Sequence, residues 1–359
     1  MSFVRNFHRM TTTALALGTV FFAQTAWAGD AIRVGFGTSW PTFTILQLAE
    51  AQDKLDGITI EVTVLDSPLT GYQMMAAGQL DVVYGTLDYV PIAAANDLPF
   101  ALVSVLDISY GADQIVLAPG LTPADLKGRT VAATEGFMGE LFMTQYLARH
   151  GLTAQDVTWQ NISPDQITGP MVSGDIAAAY VYEPWTSALE QALPGVQRVL
   201  SSDDVAILAA GTLQDAAFMS RTFLASRPAD AAALLKAHFD GVVARAADPV
   251  AGNAMIATTL GWPEADVTAV IGANGKYADG GVYVVDFDEA ARQCGVLAGA
   301  GPFGQTNGSI LTAATANEAG WISRGTLKTA LPTLAHWIDC TPLKTLVDAG
   351  YRSSVSFEK

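Results

Sequence analysis

The sequence predicts an α/β fold of two similar lobes, each a β-sheet flanked by helices, with a ligand cleft between them. Two echoing stretches carry that expectation. In the first, Ala76-Ala77-Gly78-Gln79-Leu80-Asp81 leads into the apolar run Val82-Val83-Tyr84; in the second, Val172-Ser173-Gly174-Asp175 leads into Ala177-Ala178-Ala179-Tyr180-Val181-Tyr182. Each reads as a helix end, a glycine stop, a short buried strand and a polar loop. The loops are Gly85-Thr86-Leu87-Asp88 and Glu183-Pro184-Trp185. The repeats lie roughly 100 residues apart, about one α/β domain each, so their strand-end loops can face one cleft. Ligands of open α/β sheets bind beyond the carboxyl ends of the strands, which makes these loops the first place to look for function.

The first residues point to export. Arg5, His8 and Arg9 precede an uncharged run from Thr11 to Trp27, and Ala26-Trp27-Ala28 places small residues at the minus-three and minus-one positions of a cleavage site. Residues 1–28 therefore read as a signal peptide cut after Ala28. A membrane anchor fits less well, because the apolar run is short and interrupted, against the ~20 residues needed to span. Gly29 rather than a cysteine follows the cut, so no lipid attachment is expected there. The expected product is a soluble periplasmic protein beginning at Gly29. Intact-mass analysis of the exported protein checks this, and a retained leader or a membrane-bound product would refute it.

The roughly 330 residues that remain are enough for two lobes with cores of their own. Half the chain is hydrophobic, 50%, but in short runs broken by Gly, Pro and Asp, as buried strands and amphipathic helices require. A formal charge of −16 repels phosphate backbones and sets nucleic acid aside as a partner.

In order along the chain, Ile32 to Phe36 is a first strand, with Gly37-Thr38-Ser39-Trp40-Pro41 as its exit loop and a helix from about Thr44 to Lys54. The alternation Ile58 to Val64 is a second strand. Asp66-Ser67-Pro68-Leu69-Thr70-Gly71 then opens a helix to Ala77, since Ser and Asp cap free amides and Pro fits a first turn. Val82 to Tyr84 is the third strand and Tyr89 to Ala95 a helix. The second lobe begins near Gln114 with a strand at Ile115 to Ala118, a helical turn at Pro123 to Leu126 and a strand at Thr130 to Ala133. A helix after Thr134-Glu135-Gly136-Phe137-Met138-Gly139 reaches His150, where Gly151 ends it. A strand at Val157 to Gln160, a helix at Asp165 to Val172 delayed or kinked by Gly169-Pro170, and a strand at Ala178 to Tyr182 close the lobe. Ala206 to Phe218 returns the chain. Helices follow at about Pro228 to Ala246, Pro249 to Leu260 and Glu264 to Ile271, with pieces at 286–299 and 317–339. The expected division is 29–112 for the first part of lobe 1, 113–211 for lobe 2, and 212–359 for the return to lobe 1 and the last helices. The crossings near Tyr110-Gly111-Ala112 and Gly211-Thr212 would form a hinge. Cys294 and Cys340 are either a disulfide or two buried thiols, since sequence does not say whether their Cα atoms approach within ~7 Å.

The leader, the Gly37-Thr38-Ser39-Trp40-Pro41 loop, the capped Ser67 to Gly71 turn, Gly78 followed by Asp81, Leu126-Lys127-Gly128-Arg129-Thr130-Val131-Ala132, the Gly136 loop and the segment from Gly174-Asp175 to Glu183-Pro184-Trp185 occur in this order. Together they resemble the periplasmic substrate-binding proteins of ABC importers in the nitrate, sulfonate and taurine family, over residues 31 to 245. The resemblance implies a type II periplasmic binding fold whose lobes close on a small solute. It also implies delivery to an inner-membrane permease, a monomer, and no cofactor.

Helix amino termini at Ser67 to Gly71 and Thr134 to Met138 would be anion sites on opposite lobes. Asp88 and Glu183, on corresponding loops, would accept from an amine. The expected ligand-binding residues are therefore Ser39, Trp40, Thr70, Gly71, Thr86, Asp88, Gly136, Phe137, Met138 and Glu183. Trp40, Phe43, Tyr84, Phe137, Tyr182 and Trp185 bring aromatic surface to the same loops, with Trp40 read as a ligand contact and Tyr182 and Trp185 as packing. Anion sites with a carboxylate favour a zwitterion such as taurine, or an aliphatic sulfonate. Nitrate or a related oxyanion, and a pyrimidine-type thiamine precursor, are the alternatives.

No catalytic residue or metal ligand is expected. His150, His238 and His336 have no metal-ligand rhythm, and Gly299-Ala300-Gly301-Pro302-Phe303-Gly304 follows a helix where a dinucleotide fingerprint follows a strand. An enzyme of the pyrimidine-synthase type on the same fold would need clustered cysteines and a cleft histidine. A periplasmic ligand sensor is the third reading.

Overall fold

The computed structural model describes residues 30–273, 281–353 and 355. The expected signal peptide lies outside the described residues. Two sheets organise the chain. The first is built from β1 (Ile32–Phe36), β2 (Ile60–Val64), β3 (Val82–Thr86) and β4 (Phe100–Ser109). The second takes β5 (Asp113–Leu117), β6 (Thr130–Ala133), β7 (Thr158–Asn161), β8 (Ala178–Tyr182) and β9 (Gln197–Ser201). The chain then returns to the first sheet with β10 (Gln214–Ser220) and β11 (Val282–Val284). The strand orders are β11-β4-β10-β3-β1-β2 and β7-β6-β8-β5-β9. In each, a parallel core of three strands meets antiparallel strands that carry the crossings: β1 pairs with β2 and β3, β6 with β7 and β8, while β10 lies antiparallel to β3 and β4, and β5 to β8 and β9.

Local chemistry sets the helix starts. Trp40 is the extended cap residue before the helix Pro41–Ala51, which begins three residues before the expected Thr44 because Pro41 fits its first turn. Ser67 accepts from the Thr70 amide to cap Pro68–Ala76. The helix expected from Asp165 starts at Thr168, after a single tight turn at Pro164–Gln166, and Pro170 falls in its first turn, where a missing N–H is harmless. The return segment divides at Gly211 into the helix Val205–Ala210 and β10. Instead of helical pieces at 286–299 and 317–339, the chain forms the helices Phe287–Gln293 and Ser309–Arg324 and a short turn at Leu334–Trp337.

Cys294 and Cys340 form a disulfide, with Cα atoms 6.0 Å apart. It joins the end of Phe287–Gln293 to the start of the last helix, Thr341–Asp348. Between the two cysteines, Ser309–Arg324 bridges the halves of the molecule. Its buried Trp321 donates to the Asp88 carbonyl beyond β3 at 2.8 Å, and Arg324 Nε donates to Glu140, on the helix after β6, at 2.6 Å. Among the described residues no helix is long and apolar enough to cross a membrane.

Candidate functional site

A narrow cleft opens where the two sheets meet. The first half supplies Thr38 and Trp40 after β1, Phe43 from the following helix, Pro68, and Gly85 and Thr86 at the end of β3. The second half supplies Phe137 and Met138 after β6, and Tyr180 and Tyr182 from β8. Trp40 and Tyr182 meet edge to face across the cleft, ring centroids 5.5 Å apart. Tyr180 is set by a close approach: a Cβ on Gly139 would lie 2.1 Å from its ring, so only glycine lets that ring pack on the helix Met138–Arg149.

The floor comes from strands next to the crossings and is acidic. Asp107 near the end of β4, Asp215 in β10 and Asp113 at the start of β5 all line the cleft, at 2%, 8% and 6% exposure. Asp215 is directly opposite Asp107 on one neighbouring strand and Thr86 on the other. Like charges directly opposite one another in a sheet repel. Burial raises both carboxyls, Asp107 to about 6 and Asp215 well above the usual range, where the adjacent Asp107 pushes it further. The pair is therefore harder to ionise than two isolated carboxyls. Thr42 donates to Asp107 and Tyr180 to Asp113. The Asp113 amide donates to Ser109 Oγ and Ser202 Oγ, both at 3.3 Å, and burial raises its carboxyl too. No Lys, Arg or His is among the lining residues.

The model of the NMT1-like family matches residues 30–260 of this chain. The chain belongs to the NMT1-like family. A binding protein of Brucella abortus (strain 2308) is 22% identical over 200 residues, 55% of this chain and 62% of the relative, so the match spans under two thirds of that protein's length. The alkanesulfonate-binding protein SsuA from Xanthomonas axonopodis pv. citri, bound to MOPS, superposes with a TM-score of 0.66 at 17% identity, covering 86% of this chain and 97% of that one. The nitrate-binding protein NrtA from Synechocystis PCC 6803 gives 0.64 at 15% identity, over 89% and 88%. The desulfurization enzyme DSZB gives 0.57 at 16%, over 89% and 100%. At these identities the solved structures establish the fold, a type II periplasmic binding architecture, for the NMT1-like chain.

Of the ten residues expected at the site of this NMT1-like chain, Trp40, Thr86, Phe137 and Met138 line the cleft. The other six lie outside its lining. At each of the two helix starts expected to receive an anion, one amide is bound from within the protein. Ser67 takes the Thr70 amide, and the Glu140 carboxylate takes the Gly136 amide at 2.8 Å. Gly71 packs its helix on the sheet, where a Cβ would meet Leu65 at 2.8 Å. Ser39 precedes Trp40 in the same loop but is not a lining residue. Glu183 accepts from Ser187 and pairs with Arg198 at 3.3 Å, so its carboxylate is engaged on the second half's own surface. Asp88 is 1% exposed, its carboxyl buried beneath the bridging Trp321 without a cationic partner among the described residues. Of the expected aromatics, Phe43 and Tyr182 join the lining, whereas Tyr84 stacks on Phe36 in the core and Trp185 opens an outer helix.

The residues that the strand-end rule missed are Asp107, Asp113, Asp215 and Tyr180. Two of the four left a trace as buried charges, though not of their pairing: the lone Asp inside Val105-Leu106-Asp107-Ile108, and Asp215 beside Ala216-Ala217-Phe218, stand in runs too apolar to face water.

Proposed function

We propose that this NMT1-like protein is the solute-binding component of an ABC importer, which closes its two halves around a small molecule and presents it to a membrane permease. The observation that carries this reading is the cleft itself. Both sheets line it, Trp40 of one half meets Tyr182 of the other across it, and the chain crosses between the halves beside it, at Gly111 and Gly211. A site divided in this way is completed by closure, so ligand and conformation are linked. The binding protein of Brucella and the sulfonate and nitrate binders of the same fold support the reading. The DSZB enzyme shares the fold, so fold alone does not decide between binding and catalysis. Periplasmic localisation and monomeric action belong to the same proposal.

The finer expectation, taurine or an aliphatic sulfonate with nitrate as the alternative, draws on the resemblance and on what those neighbours bind. Within the cleft, the ammonium end of taurine would meet carboxyls. The sulfonate end would meet no Lys, Arg or His, and neutral donors such as Thr38 would have to hold it.

Small-angle scattering with and without a solute tests the hinge. With taurine, ethanesulfonate or a cationic amine at saturation, confirmed by calorimetry, the radius of gyration is expected to fall. An unchanged radius at confirmed saturation would overturn closure.

A further inference from the structure

We propose that the cleft selects a small organic cation, a protonated nitrogen base of about one ring or a short chain, with Asp113 and the Asp107–Asp215 pair as its counter-charge. This names the solute class of the binding protein proposed above and rests on that reading.

Three observations converge on it. The carboxyls come from both halves, Asp107 and Asp215 on the first sheet and Asp113 on the second, so closure brings them around one space. None of the three takes part in an ion pair among the described residues, and the lining supplies no cation to balance them. Buried carboxyls without counter-charge are costly, and a fold that keeps several at one cavity holds them ready for a partner that brings positive charge.

The walls suit the same partner. Trp40, Phe43, Phe137 and Tyr182 place aromatic rings around the space, and ring faces attract a cation while repelling an anion. Trp40 is 7% exposed, so its ring is a wall of the cleft rather than a solvated side chain. The solute then carries N–H donors for the carboxyls and an apolar or planar body for the rings. A metal ion does not fit, because among the described residues no three His, Cys, Asp or Glu side chains are placed to hold one. An anion would meet three carboxyls, with no Lys, Arg or His among the lining residues to offset them.

The test is a binding panel at pH 7.5, read by thermal shift and then calorimetry, on the parent and on Asp107→Asn and Asp113→Asn. Benzylammonium, benzamidinium, 4-aminopyridinium and choline are the cations; ethanesulfonate and nitrate are the anions; taurine is the zwitterion. At least one cation is expected to bind the parent, both simple anions are expected to fail, and each Asn variant should weaken the cation roughly ten- to hundredfold, the effect of removing one charged hydrogen bond. Asn keeps the shape of Asp and removes a buried charge, and circular dichroism verifies that each variant is folded. Failure of every cation, or cation affinity unchanged in both variants, overturns the proposal. Ethanesulfonate or nitrate binding the parent, with no cation doing so, overturns the cation class and leaves the solute-binding reading standing. Silence from every probe of either charge counts against both.

Discussion

Replacing Asp88 by Asn is expected to stabilise the protein by about 4 kcal/mol at pH 8 and to have almost no effect at pH 4. Burial pushes the Asp88 carboxyl up to about 7, with the Glu140 carboxylate adding to the rise and the Thr86 hydroxyl opposing it. Both carboxyl oxygens are buried, and no cation among the described residues pairs with them. A carboxyl that is harder to ionise in the fold than in the unfolded chain binds more protons when folded. Its contribution to stability therefore falls as pH rises through the interval between the two values, from about 4 to about 7, and is constant on either side. Roughly three units at 1.36 kcal/mol each give the figure of about 4 kcal/mol. Asn cannot ionise, so the variant should escape this loss. Asp107, raised to about 6, and Glu289, raised to about 7, act in the same direction, so the parent itself should lose stability between pH 4 and 7. Urea midpoints for the parent and Asp88→Asn at pH 4, 6 and 8 decide the matter. Parallel curves at all three pH values, or a variant less stable at pH 8, would show that hydrogen bonds to the carboxylate offset its burial.

The same carboxyls explain which parts of the molecule could be read from its sequence. Strands β1, β3, β6 and β8 were legible because each is short, apolar and followed by a polar loop, and their loops delivered Trp40, Thr86, Phe137 and Met138 to the cleft. Strand β4 was not, although at ten residues it is the longest of the described strands. It is buried along its whole length, so Phe100 to Ser109 shows no alternation, and a continuous apolar run does not distinguish strand from buried helix. Strand β10 was hidden in the same way, merged with the short helix before Gly211. These two strands pair with each other, and together they place Asp107 opposite Asp215. The acidic floor depends on a register between residues more than a hundred positions apart, which no local pattern encodes. Glu183 was the opposite case. Its loop position was read correctly, but whether its carboxylate turned toward the cleft depended on Arg198, which reaches it from β9, a strand of low apolar content that left no signal.

Removing the Cys294–Cys340 bond is expected to cost about 4 kcal/mol of unfolding free energy, the chain-entropy value for the 46-residue separation it closes. The bond anchors both ends of that loop on the first half. Cys294 follows the helix Phe287–Gln293, which packs on β4, and the stretch before Cys340 lies against the same strand, where the Asp339 amide donates to the Leu102 carbonyl at 2.8 Å. What the loop carries is the bridging helix Ser309–Arg324. The Arg324 contact with Glu140 and the packing of Trp321 and Leu327 against Leu141 are made by a segment held to one half and resting on the other. Opening the loop therefore releases entropy in the unfolded chain and also loosens the element that links the halves in the folded one. The double variant Cys294→Ser with Cys340→Ser should show a lowered urea midpoint and faster amide exchange in 309–324 than in β4. A midpoint equal to that of the parent would mean that the loop is ordered by packing alone. A lowered midpoint with uniform exchange would mean that the bond stabilises the whole fold without bearing on the bridge between its halves.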